Sequence, residues 1–144
     1  MIKLICVGKI KEKYLSDGIN DYLKRINKYH KVQIIEVEDS IPENEEVKII
    51  KYIDNKDYVI TLEIDGNMVS SIEFADKLDK TFITNSNITF IIGGSYGLSD
   101  NIKKRSNYKL SFSSMTFPHG LFRLVFLEQL YRCFKILNNE TYHK

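Results

Sequence analysis

The sequence predicts an α/β fold with a mainly parallel sheet flanked by helices. Strand-like and helix-like segments alternate along the chain, which is typical of a parallel sheet. The run Ile88–Ile92 contains only apolar or β-branched residues and ends at two glycines, as expected of a strand covered on both faces. A length of 144 residues indicates one domain, residues 1–144.

Five strands are predicted, each from a short apolar or β-branched run bounded by turn residues. Gly8 ends the first run, and Asp65-Gly66 closes the third. The fourth run is the most apolar, so we expect it at the centre of the sheet. The predicted strands are residues 2–7, 32–37, 58–64, 88–92 and 108–112.

A helix is predicted between each pair of strands. Apolar residues at helical spacing predict the first over about residues 11–28. Ser40-Ile41-Pro42-Glu43 and Ser70-Ser71-Ile72-Glu73 both resemble capping boxes, which start helices. Leu98-Ser99-Asp100 opens a short basic helix. We expect the second helix, to about residue 54, to bury three apolar side chains, which are Val47, Ile50 and Ile53.

The last predicted helix, about residues 121–137, is apolar around most of its circumference. A helix of this kind must be covered on most sides. In a chain of 144 residues the expected second cover is another copy, so we predict a two-fold symmetric homodimer.

Composition limits the possible functions. The net charge is only +2, so any RNA binding must depend on local patches. Cys6 and Cys133 lie in apolar runs, which predicts buried free thiols in a reducing compartment. The histidines and cysteines lack metal-ligand spacing, so no metal site is expected. No apolar run approaches the roughly 20 residues of a membrane span, and we expect a cytoplasmic protein without membrane partners.

Gly93-Gly94-Ser95-Tyr96-Gly97 directly follows the fourth predicted strand. In α/β sheets, ligands bind beyond the carboxyl ends of strands, so this segment is either a ligand site or a tight turn. It also fits the G-x-S-x-G nucleophile elbow, which makes a serine hydrolase using Ser95, Asp100 and His119 an alternative. The short chain and the lack of an upstream oxyanion loop weigh against that alternative. The glycine and lysine spacings of P-loops and dinucleotide sites do not occur.

Six segments, in one order from end to end, carry a resemblance to a known family. They are Lys3-Leu4-Ile5-Cys6-Val7-Gly8-Lys9, Thr61-Leu62-Glu63-Ile64-Asp65-Gly66, Ile91-Ile92-Gly93-Gly94-Ser95-Tyr96-Gly97-Leu98, Leu110-Ser111-Phe112-Ser113-Ser114-Met115-Thr116-Phe117-Pro118-His119, Glu128-Gln129-Leu130-Tyr131-Arg132 and Tyr142-His143-Lys144. With them the chain resembles the RlmH family, the 23S ribosomal RNA pseudouridine-N3 methyltransferases of the SPOUT superfamily. Residues 39–54 look shorter than is usual in that family.

The resemblance implies a deep trefoil knot in the C-terminal half and S-adenosyl-L-methionine as cofactor. It places the cofactor in three strand-end loops. By position, the binding residues would be Leu62, Gly93, Phe112, Ser113, Ser114, Met115, Thr116 and Phe117. From the residues alone, Phe112, Met115 and Phe117 would be interpreted as ordinary core.

The resemblance also implies a reaction, in which N3 of a pseudouridine attacks the cofactor's methyl group. The N3 proton must leave, and a histidine base suits that step. His119 is the first candidate and His143 the second, with Tyr142 and Arg132 as substrate contacts. The simpler interpretations are that His119 caps the last helix and that Arg132 only pairs with Glu128.

The expected partner is large-subunit ribosomal RNA, in the assembled ribosome according to the resemblance. A non-catalytic ribosome-binding module on the same fold remains a further alternative. The predicted RNA contacts are Lys103, Lys104, Arg105, Lys109 and Lys144.

Overall fold

The computed structural model describes residues 1–144, in which strands and helices alternate throughout. This alternation confirms the predicted α/β class. The strands are β1 (Ile2–Val7), β2 (Val32–Val37), β3 (Tyr58–Met68), β4 (Ile88–Ile92) and β5 (Tyr108–Ser111). The helices are α1 (Lys13–Ile26), α2 (Pro42–Ile50), α3 (Ser71–Thr84), α4 (Asp100–Arg105) and α5 (His119–Leu137).

The strands form one five-stranded parallel sheet in the order β2-β1-β4-β3-β5. β4 lies at its centre with all of its residues buried, as its composition predicts. Cys6 of β1 and Thr61 of β3 pair with Ile92 and Ile91 of β4. The carboxyl ends of β1, β4 and β3 therefore lie side by side.

The helices cover both faces of the sheet unequally. α1, α3 and α5 pack on one face and contribute Ile19, Phe74 and Phe126 to a core of 20 buried residues. α2 and α4 contribute Ile49 and Ile102 to a smaller core of 8 residues on the other face. None of the helices is both long enough and apolar enough to cross a membrane.

The predicted buried face of α2 is wrong. Val47 is 60% exposed and Ile50 is 49% exposed, whereas Glu45 and Ile49 are buried. Ile53 lies beyond the helix and packs against the smaller core.

The predicted capping box at Ser40 is also wrong. The N-cap residue is Ile41, which provides no side-chain cap. The amide of Ser40 instead donates to Glu45 Oε2 at 2.8 Å, and this bond helps to turn Glu45 inward.

The second predicted capping box is confirmed at the start of α3. Ser70 Oγ accepts the Glu73 N–H at 3.1 Å, and Glu73 Oε1 accepts the Ser70 N–H at 2.8 Å. β3 is longer than predicted because, after a register shift, Asn67 and Met68 pair again with β5. β5 ends one residue before its predicted limit, and α5 begins two residues earlier than predicted.

The dimer is predicted from the apolar surface of α5. Much of this surface is covered within the chain. The helix packs between α1 and α3. Phe126, Leu127 and Leu130 are fully buried, whereas Leu121 remains 38% exposed. The uncovered apolar surface is thus concentrated at the first turns of the helix, near the carboxyl ends of the strands.

Candidate functional site

A cleft with a volume of about 610 Å³ lies at the carboxyl ends of β3, β4 and β5, beside the first turn of α5. Its volume is within the range of small-molecule sites, roughly 300–1,000 Å³. The loops after the three strands provide most of its walls. Among the lining residues are Leu62, Ile64, Asp65, Gly93, Ser95, Lys103, Phe112, Ser113, Met115, Thr116, Phe117 and His119.

The structure brings together nearly all of the predicted cofactor residues. Each of them lines the cleft except Ser114, which belongs to the same loop as its neighbours. Ile64 and Asp65 also line the cleft, although they were not predicted. Their position at the carboxyl end of the predicted third strand is the signal that could have identified them.

The glycine loop, residues 93–97, forms a tight turn as well as one wall of the cleft. The Gly97 N–H donates to the Gly94 carbonyl at 3.0 Å, and Gly97 has a φ of +77°, which favours glycine. A Cβ added at Gly93 would lie 3.0 Å from Leu98 Cδ2 and 3.2 Å from the Gly97 carbonyl carbon. The main chain of this loop therefore borders the cleft where a side chain would not fit.

A carboxyl pair supports the glycine loop from behind. A Cβ added at Gly94 would lie 3.2 Å from Asp39 Oδ1 and 3.2 Å from Glu45 Oε2. Burial raises the pKa of Glu45, the Ser40 N–H opposes that change, and the neighbouring Asp39 adds to it. The two carboxyl groups leave no room for a side chain at Gly94.

The loop after β5 exposes apolar side chains to the cleft. Met115 is 74% exposed and Phe117 is 37% exposed, so neither is ordinary core. Phe112 contacts the Phe122 ring, with a centroid distance of 5.2 Å, while it also lines the cleft. The Met115 N–H donates to Ser113 Oγ at 3.0 Å, which stabilises the turn.

His119 is the first residue of α5 and contacts the glycine loop across the cleft. Its Nε2 lies 3.1 Å from Ser95 Oγ. The N-cap residue is Pro118, and no side chain caps the helix, so the interpretation of His119 as a cap is wrong.

Asp100, the predicted acid of the hydrolase triad, starts α4 and makes no hydrogen bond to His119. In addition, a loop of several residues separates β4 from α4. The structure therefore pairs the serine with the histidine but does not assemble the strand–serine–helix turn and triad of a serine hydrolase.

The other predicted catalytic residues lie together at the far end of α5. We call Glu128, Arg132, Tyr142 and His143 the tail cluster. Tyr142 OH donates to Glu128 Oε2 at 2.9 Å, Arg132 Nη2 donates to the same oxygen at 2.8 Å, and Arg132 Nη1 donates to His143 Nδ1 at 3.1 Å. Burial, together with the bonds to Tyr22 and Glu128, raises the pKa of Tyr142.

The tail cluster is remote from His119 within one chain. Both belong to α5, where the positions of His119 and Arg132 differ by about 20 Å along the axis at about 1.5 Å per residue. Arg132 does pair with Glu128, but it also contacts the tail, so the ion-pair interpretation describes only part of its contacts. The structure thus separates the predicted catalytic residues into two groups.

The predicted RNA-contacting residues do not form one patch. Lys103 lines the cleft, and Lys104, Lys109 and Lys144 are exposed. Arg105 lies on the opposite side of the sheet, near the start of β3. There it donates to the carbonyls of Asp54 at 3.1 Å and Asp57 at 2.9 Å. The structure contains no group of three or more His, Cys, Asp or Glu side chains placed to hold a metal ion.

Known proteins match the chain over nearly its whole length. The family described as "Predicted SPOUT methyltransferase" matches residues 1–143. A protein of Methanococcus maripaludis is 52% identical over 157 aligned positions, which cover 99% of each chain. Proteins named "Ribosomal RNA large subunit methyltransferase H" from Enterococcus faecalis and Clostridium acetobutylicum are 47% and 48% identical, again over 99% of each chain.

The alignments span 157 positions, whereas the chain has 144 residues, so these relatives contain residues that the chain lacks. Among solved structures, the SpoU methyltransferase AviRb from Streptomyces viridochromogenes in complex with the cofactor AdoMet gives a TM-score of 0.47 at 10% identity. That match covers 92% of this chain and 59% of the other chain.

Proposed function

Because the chain belongs to the SPOUT methyltransferase family, we propose that it transfers a methyl group from S-adenosyl-L-methionine to N3 of a pseudouridine in large-subunit ribosomal RNA. The observation that carries the proposal is the cleft, where the three predicted cofactor loops meet. The names of the relatives at 47% and 48% identity support ribosomal RNA as the substrate. The net charge of +2 favours a folded target, the assembled ribosome in the cytoplasm, over free RNA.

The cleft suits the proposed cofactor in size and chemistry. Leu62, Phe112 and Phe117 provide apolar walls, and the glycine loop exposes main-chain amides and carbonyls with little side-chain obstruction. When bound, S-adenosyl-L-methionine supplies an electrophilic methyl group on a sulfonium. The residues around it have to exclude water, align the target base and remove its N3 proton.

His119 is the proposed general base. It borders the cleft, and the Ser95 hydroxyl 3.1 Å from Nε2 restrains its ring. A neutral imidazole nitrogen can accept a proton, so a histidine that borders the cleft can take the N3 proton as the methyl group is transferred. With the target base aligned in the cleft and its N3 proton removed by His119, the methyl transfer requires no metal.

We further propose that the enzyme is a homodimer, whose second copy docks beside the cleft. A groove of about 350 Å³, lined by Val69, Phe74, Phe117 and Val125, adjoins the cleft through Phe117. Ile72, at the start of α3, is 59% exposed. A two-fold partner on this surface is also a way to bring the tail cluster, with Arg132, Tyr142 and His143, to a cleft that it does not reach within its own chain.

We also propose that residues 1–144 form a single SPOUT domain with a trefoil knot in its C-terminal half; the family match over residues 1–143 supports the single domain. Light scattering and cross-linking of the purified protein test the dimer. A monomer that methylates ribosomes at full rate would contradict it.

The test of the proposed function is calorimetric titration with S-adenosyl-L-methionine, followed by methyl transfer. We expect the parent to bind and Gly93→Val to lose binding by at least about 100-fold, because its side chain meets Leu98 and the Gly97 backbone. Gly18→Val is the matched control, because Gly18 lies on α1, away from the cleft, and the nearest atoms to an added Cβ belong to the flexible Leu124 side chain. Circular dichroism establishes that each variant is folded.

Methyl transfer is then measured on ribosomes that lack the modification, with mass spectrometry of the released nucleosides. N3-methylated pseudouridine from the large subunit is the expected product. A folded parent that does not bind the cofactor would overturn the cofactor assignment. Binding without transfer to ribosomes would favour a non-catalytic ribosome-binding module.

A further inference from the structure

We propose that the loop between β1 and α1 is a second RNA-contacting surface, on which Lys9 and Lys11 bind backbone phosphates that flank the target nucleotide. This loop, residues 8–12, is called the basic loop below. The inference rests on the proposed function, because it assigns a substrate contact to the same site. It was not among the predicted RNA contacts.

The basic loop begins beside the glycine loop. β1 pairs in parallel with β4, and the pair Cys6 and Ile92 marks their common carboxyl end. A Cβ added at Gly94 would lie only 2.9 Å from Val7 Cγ1. The chain therefore enters the basic loop, at Gly8, immediately next to one wall of the cleft.

On its other side, the basic loop packs against the first turn of α5. A Cβ added at Gly120 would lie 2.9 Å from Leu15 Cδ1 and 3.1 Å from Ile10 Cδ1. Gly120 directly follows His119, the proposed base. The basic loop thus borders both the glycine loop and the first turn of α5, which carries the base. It does not line the cleft itself, so it would meet RNA that flanks an inserted nucleotide.

Buried contacts hold the start of the basic loop in place. The Gly8 N–H donates to the Val37 carbonyl at 2.8 Å, and the Gly8 carbonyl accepts from Arg123 Nη2 at 3.1 Å. Arg123 is itself only 3% exposed and donates from Nη1 to Glu36 Oε2 at 2.6 Å. A fixed loop loses less conformational entropy when it binds a rigid particle.

The charges of the basic loop are available to a ligand. Lys9 and Lys11 are exposed, and neither makes an ion pair or a side-chain hydrogen bond, whereas the neighbouring Lys13 pairs with Asp17 at 2.7 Å. The nearest acidic side chain in sequence, Glu12, has Oε2 4.0 Å from a Cβ added at Gly120, so it lies toward α5. In a protein of net charge +2, two free ammonium groups beside the base complement a phosphate backbone.

The test compares two charge-matched double variants of the full chain. Lys9→Ala with Lys11→Ala removes the proposed contacts. Lys24→Ala with Lys28→Ala removes the same charge at the other end of α1, which lies about 20 Å away along a helix of 14 residues. Each protein methylates ribosomes lacking the modification over a series of salt concentrations, and calorimetry gives its affinity for S-adenosyl-L-methionine.

We expect the basic-loop variant to raise KM for ribosomes about 10-fold while kcat and cofactor affinity stay within about twofold. Its log KM should depend less steeply on log salt, by roughly 1.5, since each phosphate contact contributes about 0.7–0.9 to the slope. The Lys24 and Lys28 variant should match the parent. Lys9→Arg with Lys11→Arg should restore KM, because the charge is retained.

Equal effects of the two alanine pairs would overturn the inference, because overall charge would then explain the change. An unchanged KM and salt slope in the basic-loop variant would also overturn the inference. Methyl transfer by the parent in that experiment would still support the proposed function. A parent that transfers no methyl group to ribosomes would overturn both.

Discussion

We call the side of the parallel sheet where the strands begin its amino edge, and the side where they end its carboxyl edge. The two sides differ in how their polar groups are bonded. At the amino edge, Lys3 Nζ contacts Asp57 Oδ2 at 2.6 Å and the Tyr52 carbonyl at 2.7 Å. Thr89 Oγ1 donates to the same Asp57 oxygen at 3.0 Å, and Arg105 binds the Asp57 carbonyl. At the carboxyl ends of β3, β4 and β5, an open cleft replaces such a network.

The comparison separates stability from function within one sheet. The Asp57 side chain is fully buried, and its Oδ2 is bonded to groups from several elements, so removing the carboxylate would leave the Lys3 ammonium unpaired. At the carboxyl edge, Met115 and Phe117 remain exposed and the glycine loop borders empty space. Substitutions at the two edges should therefore have different consequences, and measuring both sets tests the division.

The largest expected effect is at the carboxyl edge. His119→Ala should lower kcat for methyl transfer by about 10²–10⁴-fold, the usual contribution of a general base. Affinity for the cofactor and the melting temperature should change little, because the side chain is only half-buried and makes one hydrogen bond.

His30→Ala is the matched control for this prediction. His30 stacks on Phe82 with a centroid distance of 4.6 Å, away from the cleft, so its removal should affect stability but not kcat. A larger loss of kcat in His143→Ala than in His119→Ala would transfer the role of base to the tail cluster.

The next effect is at the amino edge. Asp57→Ala leaves the Lys3 ammonium, whose side chain is 12% exposed, without its carboxylate. Breaking a buried pair in this way costs about 3–5 kcal/mol of folding free energy. Urea denaturation should show that loss, while calorimetry at a temperature where the variant is folded should give an unchanged cofactor affinity. A variant that loses cofactor affinity would show that the edges are coupled.

The same carboxylate predicts a dependence of stability on pH. Burial acts to raise the pKa of Asp57, but the bonds from Lys3, the Asp54 N–H and Thr89 outweigh it, so the folded pKa is lowered. Its stabilising contribution is complete above the unfolded pKa of about 3.9 and is lost as pH falls through the folded pKa. Below about pH 4 the parent should lose stability more steeply than Asp57→Asn. Parallel pH curves would contradict this assignment.

Local sequence signals predicted most of the fold. The capping box at Ser70 and the apolar run of β4 depend on neighbouring residues, and both predictions are confirmed. The predicted buried face of α2 is wrong because Glu45 turns inward, through a bond from Ser40 and beside Gly94, which is distant in sequence. Apolar periodicity does not detect a carboxyl group that is buried in this way.

The candidate site was predicted less evenly. From the residues alone, the glycine loop could be a turn or a ligand site, and the structure shows a turn that also lines the cleft. The family resemblance supplied Leu62 and the loop after β5. Neither signal indicated that α5 separates His119 from Arg132, because that distance depends on where the helix and the tail pack. The sequence indicates Glu128 only as a partner of Arg132, whereas in the structure it also accepts the Tyr142 hydroxyl.

The smallest expected effect distinguishes two functions of the carboxyl edge. Ser95→Ala removes the single hydrogen bond to His119, which contributes on the order of 1 kcal/mol. We expect kcat for methyl transfer to fall by roughly fivefold, with cofactor affinity within about twofold of the parent. The measurement is single-turnover transfer to ribosomes, together with calorimetry. If Ser95 were instead the nucleophile of a hydrolase, Ser95→Ala would abolish ester hydrolysis. Any methyl transfer by the protein would then be unaffected by this change. A fivefold loss of transfer alone would assign the serine to restraining the base.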